Sequence, residues 1–144
     1  AWMPDGKSLV YATGQQGSGS IWRVPWEGGE AVQLGVGDRA DSVSISPDGQ
    51  RLVYSEFPYY DCDLFRIPGP AASKSSPPVK LQSSTLIDWS PEYSPDGTKI
   101  ALVSGRSGSN QIFVCESDGS SCTQLSHQDY ATSPKWSPDG SKIV

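Results

Sequence analysis

Apolar residues along this chain come in short runs broken by clusters of Gly, Pro, Ser and Asp, the rhythm of short strands joined by tight turns. Within the runs, apolar and polar residues alternate or β-branched residues crowd together, and both patterns suit a pleated, half-buried surface. One set of runs covers Ser8 to Ala12, Arg51 to Ser55 and Lys99 to Ser104. A second covers Ile21 to Val24, Leu64 to Ile67 and Gln111 to Cys115, and a third, shorter set covers Val32 to Leu34, Val79 to Leu81 and Thr123 to Leu125. Before each first-set run stands a stretch that ends on an aromatic residue or Ile and meets a Pro-Asp-Gly turn. The pattern predicts units of four strands.

The units repeat. Trp2-Met3-Pro4-Asp5-Gly6 is echoed by Ile45-Ser46-Pro47-Asp48-Gly49, by Tyr93-Ser94-Pro95-Asp96-Gly97 and by Trp136-Ser137-Pro138-Asp139-Gly140. The prolines stand at 4, 47, 95 and 138, so the spacings are 43, 48 and 43. A period of about 40–50 residues built from four strands marks a propeller blade. Fifteen residues after each of the first three motif glycines comes an apolar pair, Ile21-Trp22, Leu64-Phe65 and Ile112-Phe113. The middle repeat is longer by four residues between Gly69 and Pro78 and by one before Trp89, both in turns. The expected fold is all-β: a propeller of four-stranded antiparallel blades, about three blades plus half of a fourth. The blades fall at about 1–36, 37–83 and 84–127, and the fourth begins within 128–144.

In the repeated turn, Pro fixes one dihedral, the Asp side chain reaches the backbone two residues on, and Gly supplies a positive φ. Asp5, Asp48, Asp96 and Asp139 are therefore turn residues, one per repeat, and not a metal or catalytic cluster.

These residues resemble the TolB-type propellers, whose blades repeat Trp-Ser-Pro-Asp-Gly-x-x-Ile-Ala. The best matches are Trp136 to Val144, Tyr93 to Val103 and Ile112 to Leu125. Ile21-Trp22-Arg23-Val24-Pro25 with Gly28-Gly29 and Gln33-Leu34 is similar to tandem propeller modules of bacterial sensor and regulator proteins. Met3 and Ile45 depart from the motif without disturbing its turn. The resemblance implies a non-catalytic scaffold that binds a protein or a small ligand inside a larger bacterial sensor, regulator or TolB-like transport protein. It favours the periplasm over the cytoplasm. The other reading is the propeller accessory domain of a prolyl-peptidase-type hydrolase, which predicts a Gly-x-Ser-x-Gly segment elsewhere.

Composition narrows the function. The net charge is −5 and the 11 basic residues are scattered singly, which argues against nucleic-acid binding through this segment. No apolar run approaches the ~20 residues of a membrane span, and the first residues carry no signal-peptide pattern. Cys62, Cys115, Cys122 and His127 lack metal-ligand spacing, so neither a metal nor a cofactor is expected. Cys115 and Cys122 flank a turn centred on Asp118-Gly119 and face each other. A two-residue turn there would put them at a hydrogen-bonded pair, a wider spacing for a bridge. A disulfide and two reduced thiols both remain open.

The repeats begin and end in mid-blade. Two expectations follow: the segment belongs to a longer protein, or two copies form a homodimer that completes a six-bladed ring. Binding is expected on the face bearing the loops between second and third strands. In the middle repeat this loop is Phe57-Pro58-Tyr59-Tyr60-Asp61, where the other repeats are Gly-rich. The inter-blade loops add Arg39, His127, Asp129 and Tyr130. The candidate ligand-binding residues are therefore Phe57, Tyr59, Tyr60, Asp61, Arg39, His127, Asp129 and Tyr130. His127 and Asp129 could act as a base and its orienting partner, but no nucleophile accompanies them, so no catalysis is expected.

Overall fold

The computed structural model describes the chain except residues 16–17, 58–60, 83 and 128–129, and of residues 14, 15, 18 and 82 it describes the backbone. The described residues form eleven strands and no helix. The first sheet pairs β1 (Ser8–Gln15), β2 (Ser18–Pro25) and β3 (Val32–Gln33) in that order. The second runs β4 (Ala40–Ile45), β5 (Arg51–Glu56), β6 (Asp63–Pro68) and β7 (Val79–Gln82). The third repeats that order with β8 (Asp88–Tyr93), β9 (Lys99–Ser104), β10 (Gln111–Glu116) and β11 (Thr123–Gln124). At either end, Trp2 bridges Leu9 and Trp136 bridges Ile143, each in the place of an innermost strand. Three antiparallel sheets in meander order are the blades the repeat predicts.

The blades stack face to face, which explains why their middle strands read as continuous apolar runs. Alternate residues of β5 serve two different cores. Leu52 and Tyr54 pack with Val10 and Ile21 of the first blade, while Val53 packs with Ile100, Leu102 and Phe113 of the third. Tyr54 stacks on Phe65 across the ladder, with ring centroids 5.8 Å apart. Each such buried side chain contributes about 1.5–3 kcal/mol through loss of contact with water. Buried backbone groups also join the blades: Tyr93 N–H donates to Ser44 Oγ at 3.0 Å, and Asp88 N–H to Cys62 O at 2.8 Å.

The innermost strands of the second and third blades each carry one extra residue. Pairing shifts between Ala40 and Val43 on β4, and between Trp89 and Glu92 on β8. On β8 the irregularity holds Ser90 at φ 52° and is followed by Pro91. Proline lacks the ladder donor, so a bulge is where a strand tolerates it.

Candidate functional site

The sheets present two ends, one bearing the repeated turns and the other the β1–β2, β5–β6 and β9–β10 loops. At the turn end the motif does what its chemistry requires. Asp5, Asp48, Asp96 and Asp139 each accept a hydrogen bond at Oδ1 from the backbone N–H two residues on, at 2.9–3.0 Å. In the last two full motifs the Ser hydroxyl donates to the same carboxylate: Ser94 to Asp96 and Ser137 to Asp139, both at 2.6 Å. Ser hydroxyl donation comes first among the causes that hold the Asp96 and Asp139 carboxyls down at about 2. The motif glycines have φ of 65° to 69°, and three of them lie under the preceding blade's proline. Pro4 meets Gly49, Pro47 meets Gly97 and Pro95 meets Gly140. The turns thus also set blade spacing.

At the loop end, Glu56 of β5 pairs with Ala40 on one side and Asp63 on the other. Arg39, Phe57 and Asp61 lie one or two residues beyond that rung, so they converge on one end of the second blade. Phe57 N–H donates to Arg39 O at 3.2 Å, and Asp61 Oδ1 accepts from Cys62 N–H at 2.9 Å. Phe57, Arg39 and Asp61 are all half-buried. This end is acidic. Burial first and the Asp38 charge second push the Glu56 carboxyl up, and burial with Glu56 and Asp38 pushes the Tyr54 hydroxyl up to about 12.

The remaining expected site residues divide. Tyr59, Tyr60 and Asp129 lie outside the described residues. His127 stands beyond the outermost strand of the third blade, its Nδ1 3.3 Å from Gln124 Nε2, and Tyr130 is 65 % exposed. The structure thus gathers Arg39, Phe57 and Asp61 at β4–β6 and places His127 at the rim of the next blade.

Two further features carry no signal in the motif. Asp88, fully buried at the head of β8, accepts from Arg106 Nη2 at 3.1 Å on both carboxylate oxygens. The Arg106 guanidinium also lies 4.8 Å from the Phe113 ring centre. A lone acid in the run Leu86-Ile87-Asp88-Trp89 was the available sign. Nearby, Asp63 is ion-paired to Lys80 through Oδ2, and its buried Oδ1 has no hydrogen-bond partner. Among the described residues, no group of three or more His, Cys, Asp or Glu could hold a metal ion.

Cys115 and Cys122 are bonded, with Cα atoms 4.0 Å apart. Their position corrects the hydrogen-bonded pairing expected from a two-residue turn. Leu125 N–H donates to Ile112 O, so alternation down the ladder makes Cys115 and Cys122 a non-hydrogen-bonded pair, the closer kind. The phase differs because the turn takes an additional residue: Glu116 N–H donates to Ser120 O, and Ser121 adopts φ 51°. Cys62 is the free cysteine of the described residues, and burial pushes its thiol up, away from reactivity.

Comparison with known proteins agrees with this architecture. Residues 71–144 match the family model of the TolB beta propeller domain. A curated TolB homologue of Chlorobium luteolum is 54 % identical over 37 residues, which is 26 % of this chain and 8 % of that protein. The solved structure of a protein assigned as TolB from Agrobacterium tumefaciens superposes with a TM-score of 0.85 at 26 % identity, over 99 % of this chain and 51 % of that one. A puromycin-hydrolysing peptidase of Mycobacterium tuberculosis shares the fold, with a TM-score of 0.72 at 16 % identity over 97 % of this chain and 26 % of the peptidase. The chain therefore spans about half or less of the length of the proteins it matches. Repeated turns, four-stranded blades and the match over its second half place this chain in the TolB beta propeller domain family.

Proposed function

We propose that this chain is a non-catalytic binding scaffold within a larger bacterial protein, and that it engages a protein partner at the loop end of its second blade. The observation that carries this reading is the convergence of Arg39, Phe57 and Asp61 around one rung of β4–β6. Phenylalanine and arginine are both enriched at protein interfaces, and arginine is among the residues that dominate binding hot spots. His127, the one histidine, sits at the rim of another blade, which supports binding over acid–base chemistry at this place. The periplasm is the proposed compartment because the Cys115–Cys122 bond persists where thiols are oxidised.

The first blade turns one face outward. Tyr11 pairs with Trp22 on the side away from the Val10–Ile21 core, and Tyr11 is 37 % exposed. Further blades of a longer protein are proposed to cover it, and a second copy completing a six-bladed ring is the competing cover. Light scattering after size exclusion separates them, since a ring of two copies has twice the 15.4 kDa mass of the chain.

The partner site is tested by placing a photo-crosslinking residue at position 57 in cells and another at position 118, on the opposite end. A discrete protein adduct from position 57 alone is expected. Equal adducts from both positions, or none from 57, sink the proposal. The likeness to the peptidase favours one second reading, an accessory propeller of a hydrolase. Peptidase activity of the intact parent on a chromogenic peptide would select it.

A further inference from the structure

The turn end of the second blade holds a groove of about 420 Å³ that the partner site does not use. Gln50 and Arg51 of the turn-to-β5 segment, Arg66 of β6 and Ser73, Lys74 and Ser76 of the following loop line it. That loop contains the four-residue insertion that distinguishes this repeat. Gln50 Nε2 donates to Ala71 O at 3.0 Å and ties the loop to the turn.

The two arginines meet on one residue. Arg51 Nη1 donates to Ser117 Oγ at 3.0 Å and Arg66 Nη1 donates to Ser117 O at 3.2 Å, while Arg51 Nη2 donates to Gly97 O at 3.1 Å. Every one of these acceptors is neutral. No described carboxylate lies within ion-pair distance of either guanidinium, although the chain carries 16 acids. Asp48 and Asp118 are the acids that feel these charges, and each already commits Oδ1 to its own turn. Of five N–H groups on each guanidinium, these bonds use two on Arg51, which also lies 5.6 Å from the Tyr93 ring centre, and one on Arg66, so Arg66 keeps the larger share for another acceptor. Like charges brought together on half-buried side chains oppose each other, and an anion between them reverses the sign.

The other blades do not build this arrangement. In the third, Lys99 takes the place of Arg51 and is paired with Glu116 at 2.9 Å, and Val114 takes the place of Arg66. In the first, Ser8 takes the place of Arg51, and Arg23 donates to its hydroxyl at 2.9 Å.

We propose that Arg51, Arg66 and Lys74 form a binding site for a phosphate group, with the Ser73 and Ser76 hydroxyls as further donors. Planar guanidinium forks match the oxygens of a phosphate, and the three cations more than offset the two negative charges of its dianionic form. The phosphate is free or carried on a lipid headgroup, and the test separates these sources.

Titration calorimetry of the full chain with inorganic phosphate at constant ionic strength should give saturable binding with Kd of about 1 mM or tighter. Arg66→Gln and Lys74→Gln should each weaken it about tenfold or more, the scale of one charge-assisted hydrogen bond. Arg66→Lys keeps the charge and Lys74 lies in an exposed loop, so these two variants guard against loss of fold. Lys142→Gln, in the fourth repeat, should leave binding unchanged. Sedimentation with phosphatidate-containing vesicles, lost in Lys74→Gln, would assign the headgroup; phosphate binding without vesicle binding would assign the free anion. Absence of binding to both probes, equal binding of acetate, or binding indifferent to Arg66→Gln and Lys74→Gln overturns the proposal.

Discussion

The two ends of the second blade are made by the same strands and carry opposite charge. At its loop end the charges of Asp38, Arg39 and Asp63 act on Glu56 and Lys80 pairs with Asp63, and at its turn end Arg51, Arg66 and Lys74 line a groove. The ends are also held differently. The turn end repeats one local device in every blade, a carboxylate that caps the backbone two residues on. Among the described residues the loop end shows no such common device; in the third blade the ion pair between Asp88 and Arg106 helps to fasten it. A distributed device loses little when one copy is removed. A single buried pair loses nearly everything.

The largest effect is therefore expected at the loop end. Arg106→Ala leaves the Asp88 carboxylate, fully buried, without its bidentate partner. Breaking a buried pair from one side costs about 3–5 kcal/mol, because the remaining charge keeps its desolvation cost. Urea unfolding of the variant should show this loss, and a double change of Asp88→Asn with Arg106→Ala should recover part of it. A loss under 1 kcal/mol for Arg106→Ala would mean that the two ends are held alike.

The disulfide comes next, and it lies at the turn end. Cys115 and Cys122 are separated by 7 positions. Closing so short a loop lowers the entropy of the unfolded chain by the equivalent of about 2 kcal/mol. The Cys115→Ser, Cys122→Ser pair should lose that much, read as a lower urea midpoint than the oxidised chain. Smaller still is Ser94→Ala. It removes the hydroxyl that donates to Asp96 and accepts from Lys99 N–H at 2.9 Å, and it should cost about 1 kcal/mol. The first repeat shows why the cost is modest: with Met3 in that position the turn still closes, through Met3 N–H to Ser8 O at 2.9 Å.

This contrast also marks how far the sequence could be read. The turn end is legible because its chemistry is local: Ser-Pro-Asp-Gly states its own hydrogen bonds within five residues. The blades follow, since the motif recurs in phase with the apolar runs. Reading fails where a contact depends on register between distant segments. Arg51 and Arg66 look like scattered cations until Val53 pairs with Arg66 and sets the two on one face of the sheet. Asp88 and Arg106 are 18 residues apart and meet only after β8 has been bulged and paired with β9. Cys115 and Cys122 were correctly opposed, but one additional residue in the turn reversed the hydrogen-bond phase. The same dependence separates the expected site residues: Arg39 and Phe57 meet through the β4–β5 ladder, whereas His127 follows β11 to the rim of another blade.

The smallest expected effect tests whether the turn carboxylates act as charges. Asp96 and Asp139 sit at about 2 in the folded chain, below their ordinary 3.8, because hydrogen bonds favour the ionised form. A folded value below the unfolded one means that the unfolded chain binds protons first as pH falls. The contribution is thus complete above about pH 4 and disappears as pH drops toward 2. Asp96→Asn keeps the side-chain oxygen that accepts from Thr98 N–H but removes the titration. Its urea midpoint should fall less steeply than that of the parent chain between pH 4 and pH 2, while the two chains run parallel from pH 5 to 7. Equal slopes below pH 4 would show that Asp96 closes its turn by geometry alone. The turn end would then be as indifferent to charge as its regularity suggests, and its electrical character would rest on the Arg51–Arg66 groove.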